Sequence, residues 1–231
     1  MSAILMFDRR GRVMHSRYTM KRDKTRGEIF LYGPIGASFW DEGAVSAGQF
    51  QKDLRALGKV EQIDLRINSP GGSVFDGQAM GALLKQHAAT KTVYVDGVAA
   101  SAAATLAMAG DEIIIAEGAF MMIHNASGMA FGDAKEMERM AGLLRTVNDE
   151  VAKQYADRAK MKVADVLDMM DAETWMTADD AVAKGFADKV AKGQKVTNMI
   201  SDSTGFKNIP GALKERPNRV RAAAMLASIR R

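Results

Sequence analysis

The apolar positions of this chain fall in blocks whose period changes from two to about three and a half. Residues 28–35, EIFLYGPI, read as a first strand. Phe50, Leu54 and Leu57 lie on one helical face behind Ser46, a capping residue, and Gly58 ends the run. In 61–67, Ile63, Leu65 and Ile67 alternate and predict a second strand. The turn-forming residues 68–72, NSPGG, precede a helix over 74–89 and a strand over 92–95. A further helix begins near Ser101. Two short strands, 112–116 and 119–123, are apolar on both sides, as buried strands are.

After a polar loop at 125–132, Asp133 opens a long helix to about Lys160. Met137, Met140, Leu144, Val147 and Val151 stand at helical spacing in it. A shorter helix covers 163–170. Thr177 caps a last one, which Gly185 ends. From about Lys192 the periodicity stops in a turn-rich stretch, and 220–231 reads as an amphipathic stub. Strands alternating with helices predict right-handed crossovers and a parallel sheet, an α/β fold class.

Composition narrows this picture. A chain of 231 residues, 47% hydrophobic and 26% charged, suits one sizeable core. The absence of cysteine removes disulfides, a thiol nucleophile and any cysteine-based zinc site. The first residues lack the pattern of a secretion signal, and no apolar run is long enough to span a membrane. The expectation is a soluble cytosolic protein.

Charge then divides the chain. The net +4 is uneven: residues 1–27 carry eight Lys/Arg against two acids, and residues 189–231 carry ten against two. A basic N-terminal arm at 1–27, a body at 28–190 and a basic, partly disordered C-terminal tail at 191–231 follow. The arms suit an acidic partner, a neighbouring subunit or nucleic acid. No aromatic-interleaved basic motif points to specific nucleic-acid binding.

Candidate chemistry lies between 66 and 124. Ser101 sits between a strand and a helix, where free N–H groups and the helix dipole favour developing negative charge. Taken locally, it reads as well or better as a plain N-cap among small residues. His124 ends a buried strand before a loop, a position from which catalytic side chains are presented. His15 lies in the basic arm, and His87 reads as a helix-terminal cap. Gly71 and Gly72 permit a backbone whose N–H groups face open space, as an oxyanion site needs, or form only a turn.

Taken together, SPGGSV, GVAASAAATLAMAG and FMMIH resemble the ClpP family of serine peptidases, whose fold crotonases share. The resemblance covers roughly 28–190. It implies a superhelix of β-β-α units with a protruding handle at about 125–160. It puts the nucleophile on Ser101, the base on His124, and oxyanion donors on the amides of Gly71 and Ala102. Ala102 stands where the family has methionine, and Ala126 where it has proline. The family's third member, an aspartate, matches Glu173 before Trp175-Met176-Thr177-Ala178, and Asp171 is the alternative. No metal or cofactor is implied.

IFLYGPIG, INSPGGSVFDG, ETWMTADDAV and the basic tail resemble the phage branch, the head-maturation or prohead proteases. That branch implies a homo-oligomeric ring which trims capsid and scaffold proteins in the host cytoplasm and procapsid. The alternatives are a general proteolytic subunit working with an ATPase, or a crotonase-type acyl-CoA enzyme. A Ser–Lys peptidase would use a lysine base and a membrane anchor, and no anchor is evident.

Overall fold

The computed structural model describes residues 6–7, 13–14, 17–36, 44–193, 205–211 and 213. In chain order its elements begin with β1 (Met6–Phe7), β2 (Val13–Met14), β3 (Arg17–Asp23), β4 (Arg26–Tyr32), α1 (Ala47–Leu57) and β5 (Gln62–Ser69). Next come α2 (Val74–Gln86), β6 (Thr90–Ala100), α3 (Ala102–Ala107), β7 (Glu112–Ala116) and β8 (Phe120–Ile123). The last are α4 (Ala134–Ala159), α5 (Val163–Asp171), β9 (Thr174–Thr177), α6 (Ala178–Ala183) and β10 (Lys189–Ala191). The stub at 220–231 and His15 lie outside the described residues.

The main sheet runs β10-β7-β6-β5-β4-β3, parallel except for the antiparallel edge strand β3. Its register builds two apolar rows. Ile29, Leu65, Val93 and Ile113 stand side by side across four strands, as do Leu31, Ile67, Val95 and Ile115. All eight are at most 1% exposed. Each such side chain contributes about 1.5–3 kcal/mol by leaving water. Phe50, Leu54 and Leu57 of α1 and Met80 and Leu84 of α2 are buried in the same core.

The opposite sheet face is polar. Asp96 accepts from Tyr32 Oη at 2.6 Å and Arg66 Nε at 2.8 Å, and the Arg66 guanidinium lies 5.0 Å from the Tyr94 ring centre. Ile114 is therefore only half-buried, where an all-apolar strand implied burial on both sides.

Two differences from the pattern reading have local causes. The arm assigned to 1–27 contains β3, whose Arg, Lys and Asp residues mask an alternation. Its partly buried Tyr18 and Met20 pack on the core, and the Tyr18 ring tilts against Phe50 at 6.4 Å. The strand expected at 92–95 continues to Ala100 through small residues.

That extension positions the site. Up to Val95, β6 pairs with β7; from Val98 to Ala100 it pairs with β8, which pairs antiparallel with β9. Register between β5 and β6 slips between Ile67 and Ser69, and Asn68 Oδ1 accepts the Val98 N–H across the irregularity at 3.2 Å. Ser101 stands where β6 ends and α3 begins.

The long helix α4 is capped by Asp133, whose side chain accepts from the Glu136 N–H, and it closes at Lys160 in a left-handed conformation. Burial along it starts only at Val147; Met137 and Leu143, nearer its start, are exposed. Among the described residues no helix is long and apolar enough to cross a membrane.

Candidate active site

Ser101 has φ 56° and ψ −125°, a conformation that disfavours any residue with a Cβ. Strain of this kind costs about 1–3 kcal/mol and is held by its surroundings. The Ser101 N–H donates to Met122 O at 2.9 Å. Its carbonyl accepts from Thr105 N at 3.1 Å and from Tyr155 Oη at 3.3 Å. Tyr155 is buried on α4 and 2.8 Å from Thr105 Oγ1, so the long helix braces the strained turn.

The serine side chain makes no capping bond. Its Oγ instead lies 2.8 Å from His124 Nε2, which removes the plain N-cap reading. Burial pushes the His124 pKa below its ordinary 6.5, and the negative charge of Glu173 pulls weakly the other way. The imidazole is thus neutral near pH 7 and able to accept a proton. His87 is a structural residue, as its position suggested: Nε2 meets Gly58 O and Nδ1 accepts the Ala89 N–H.

The two candidate acids separate clearly. Asp171 is exposed and accepts from Asn125 Nδ2 at 2.5 Å, away from the imidazole. Glu173 is buried, with a left-handed φ of 48°, and it interacts with His124 through charge. Among the described residues no hydrogen bond joins the two. The Glu173 carboxylate accepts from the amides of Lys207 at 2.8 and 2.9 Å and Asn208 at 2.7 Å, and from Trp175 Nε1 at 3.2 Å. Burial alone would raise its pKa. These donors, with the nearby histidine, more than reverse that and keep it ionised.

The glycine turn abuts the nucleophile. A Cβ on Gly71 would lie 2.8 Å from both Ser101 Cβ and Ala102 N, and one on Gly72 would meet Ile35 O at 2.1 Å. Both glycines have positive φ. Ile35 N donates to Gly71 O and Ser73 N to Ile35 O, which pins the turn. One expectation needs correcting: the Gly71 amide is not free, because it donates to Ser69 Oγ at 3.1 Å. Gly72 lines the cleft instead, and among the described residues nothing accepts its N–H. The Ala102 amide opens α3 beside it.

A cleft of about 260 Å³ runs past Ser101 and His124. Its apolar wall includes Val74, Phe75, Val151, Tyr155 and Met170, with Asn148 and Ser127 as polar groups. Sequence reasoning missed Tyr155, Phe206, Lys207 and Asn208. Tyr155 follows Val151 by four residues on the buried stripe of α4 and was there to be found. The two amides at 207 and 208 carry no side-chain signature at all.

A serine at a strained strand-to-helix junction, bonded to a half-buried neutral histidine, is an arrangement suited to serine hydrolase chemistry. The Clp protease family model matches residues 19–194, and the chain belongs to this family of serine-type peptidases. The chain is 32% identical over 155 residues to the ATP-dependent Clp protease proteolytic subunit of Bacteroides thetaiotaomicron, covering 63% of this chain and 68% of that one. It is 28% identical over 146 residues to the ATP-dependent Clp protease proteolytic subunit 2 of Chlamydia pneumoniae, covering 62% and 72%. Among solved structures, a mutant of ClpP1 from Listeria monocytogenes superposes with a TM-score of 0.63 at 21% identity, over 72% of this chain and 92% of that one. The fold is ClpP-like.

Proposed function

We propose that this chain is an endopeptidase in which Ser101 attacks the peptide carbonyl and His124 takes its proton. The 2.8 Å approach of Ser101 Oγ to His124 Nε2 carries this reading. In the tautomer protonated on Nδ1, Nε2 accepts the hydroxyl proton and later returns it to the leaving amine. The oxyanion sits at the start of α3 against the Ala102 amide and the Gly71-Gly72 turn, where the Gly72 N–H is the open donor. Glu173 stabilises the imidazolium by its charge. Water then releases the acyl-enzyme.

The cleft wall suits an apolar side chain next to the scissile bond. Phe75 lines the cleft and is exposed, as are Met129 and Phe131 of the 125–132 loop, and these side chains offer contact for an extended polypeptide added as a strand along 72–75 and 125–132. The exposed Met137 and Leu143 on the early turns of α4 suit contact with a second copy, as a ring requires.

Within this reading the substrates are capsid and scaffold proteins, cut in the host cytoplasm as a phage head matures. Motif wording and the basic tail support that. The ATP-dependent relatives support a second reading, a general proteolytic subunit fed by an ATPase. A crotonase-type chemistry has no use for the Ser–His pair. Mass spectrometry of the protein mixed with candidate scaffold and capsid proteins separates the first two. Discrete new termini without ATP support the processing role; cutting only with an ATP-driven unfoldase supports the second reading.

Two predictions arise here. Glu173→Ala lowers the rate of peptide hydrolysis by about a hundredfold or more, because the imidazolium loses its counter-charge. Asp171→Ala changes it less than threefold, since that carboxylate faces Asn125. Steady-state kinetics on a fluorogenic peptide separates them, and equal losses would undo the assignment.

The pH profile has a definite sign. The base must be neutral, and burial lowers its pKa, so the acidic limb of kcat/KM falls below pH 6.5. Activity is complete above that value and is lost as pH falls through the lowered pKa. A limb centred above 6.5 would contradict the burial argument.

A further inference from the structure

Two of the three residues that donate to Glu173, Lys207 and Asn208, come from beyond the stretch that matches the family, which ends at 194. Lys207 N and Asn208 N donate to its carboxylate, and Asn208 Nδ2 donates to Ala172 O at 2.8 Å. Just before them, Phe206 stands edge-on to His124 at 5.4 Å and to Trp175 at 5.7 Å. Just after, Ile209 and Leu213 are buried in a small apolar cluster with Val98, Ala100 and Met122. These three lie on β6 and β8, the strands that lead directly into Ser101 and His124. A segment with no helix or strand of its own thus grips the acid, the base and both supporting strands.

We propose that residues 205–211 with Leu213 form a positioning clasp, in which the amides of Lys207 and Asn208 and the ring of Phe206 hold Glu173 and His124 in working order. The inference rests on the serine peptidase reading. Glu173 has no hydrogen bond to His124 among the described residues, and its own turn holds its carboxylate only through Trp175 Nε1 at 3.2 Å, longer than the contacts from Lys207 and Asn208. A carboxylate accepting from two backbone amides and an indole is both ionised and immobile. Phe206 keeps water off one side of the imidazole, so the charge on Glu173 reaches it through a medium of low polarity. Ile209 and Leu213 are the anchor that makes the grip stable. Phe206, Lys207 and Asn208 act through Glu173 and His124 and touch no reacting atom.

The test uses the full-length protein and a fluorophosphonate, whose rate of attachment to Ser101 needs no known substrate. Lys207→Pro removes the donating N–H at an exposed position. It should slow labelling about tenfold, as should Phe206→Ala. Lys207→Ala, which keeps the N–H, recovers most of the loss. In a Glu173→Ala background Lys207→Pro adds little, because the group it positions is gone. Thermal melting confirms that each variant folds. Should Lys207→Pro unfold the chain, Asn208→Pro and Phe206→Ala carry the same comparison.

The clasp is overturned if these variants label at the wild-type rate, if they label faster, or if the loss persists undiminished without Glu173. A wild-type protein that does not label at Ser101 refutes the peptidase reading instead, so the two failures are distinct.

Discussion

Ser101→Ala is expected to lower peptide hydrolysis by on the order of 10⁴- to 10⁶-fold while leaving the fold intact. The hydroxyl is the only group removed, and among the described residues its one side-chain partner is His124 Nε2. Nothing in the core depends on it: the strained turn is held by the Ser101 N–H and carbonyl, which alanine keeps. Melting temperature should therefore stay within a few degrees of wild type. Residual activity above a few thousandths of wild type would mean that another group attacks the carbonyl. Measurement needs only a fluorogenic peptide and a calorimeter.

The second large effect is Gly71→Ala. At φ 89° an added Cβ would sit 2.5 Å from Ala100 O and 2.8 Å from Ala102 N and Ser101 Cβ. These are backbone atoms or fixed by backbone, so nothing nearby yields cheaply. Left-handed strain of roughly 1–2 kcal/mol and overpacking of roughly 1–3 kcal/mol add, and melting falls by about 5–15 °C. The push falls on the nucleophile and the first amide of α3, so hydrolysis drops by about a hundredfold or more. Gly142→Ala is the matched control. It lies inside α4 with nothing within 4 Å of the added atom, and it should stabilise by about 0.5–1 kcal/mol. If both glycines respond alike, the turn does not abut Ser101.

The legible parts of the chain were those in which side chains carry the information. Phe50, Leu54 and Leu57 reveal α1 because a helix packs by its apolar face. Ser101 and His124 are 23 residues apart, yet each ends a strand of the same layer, and the structure brings them to 2.8 Å. What stayed hidden was carried by backbone or by masking charge. β3 is rich in arginine, lysine and aspartate, with Tyr18 and Met20 packed on the core. The continuation of β6 is written in glycine, valine and alanine, which read as a connection. The Gly71 amide looked available because nothing in the letters shows that Ser69 Oγ accepts it. Most hidden of all was the environment of Glu173. Besides the Trp175 indole, its donors are main-chain amides over thirty residues away, in a stretch without periodicity.

The same contrast explains why the site tolerates its departures from the family pattern. On the proposed reading Glu173 stands for the family's aspartate, with its carboxylate held by the amides of Lys207 and Asn208. On the same reading alanine serves at 102, because only its backbone N–H is asked to act. Function here is set by where main-chain donors point as much as by which side chains are present.

The most direct trial of the whole account is to treat the protein with a fluorophosphonate at pH 7.5 and locate the adduct by mass spectrometry, for wild type and for His124→Ala. A single adduct on Ser101, formed at least a hundredfold more slowly once the imidazole is gone, is the predicted outcome. An unmodified Ser101, or one that reacts equally fast in both proteins, would show that this hydroxyl is not the activated nucleophile.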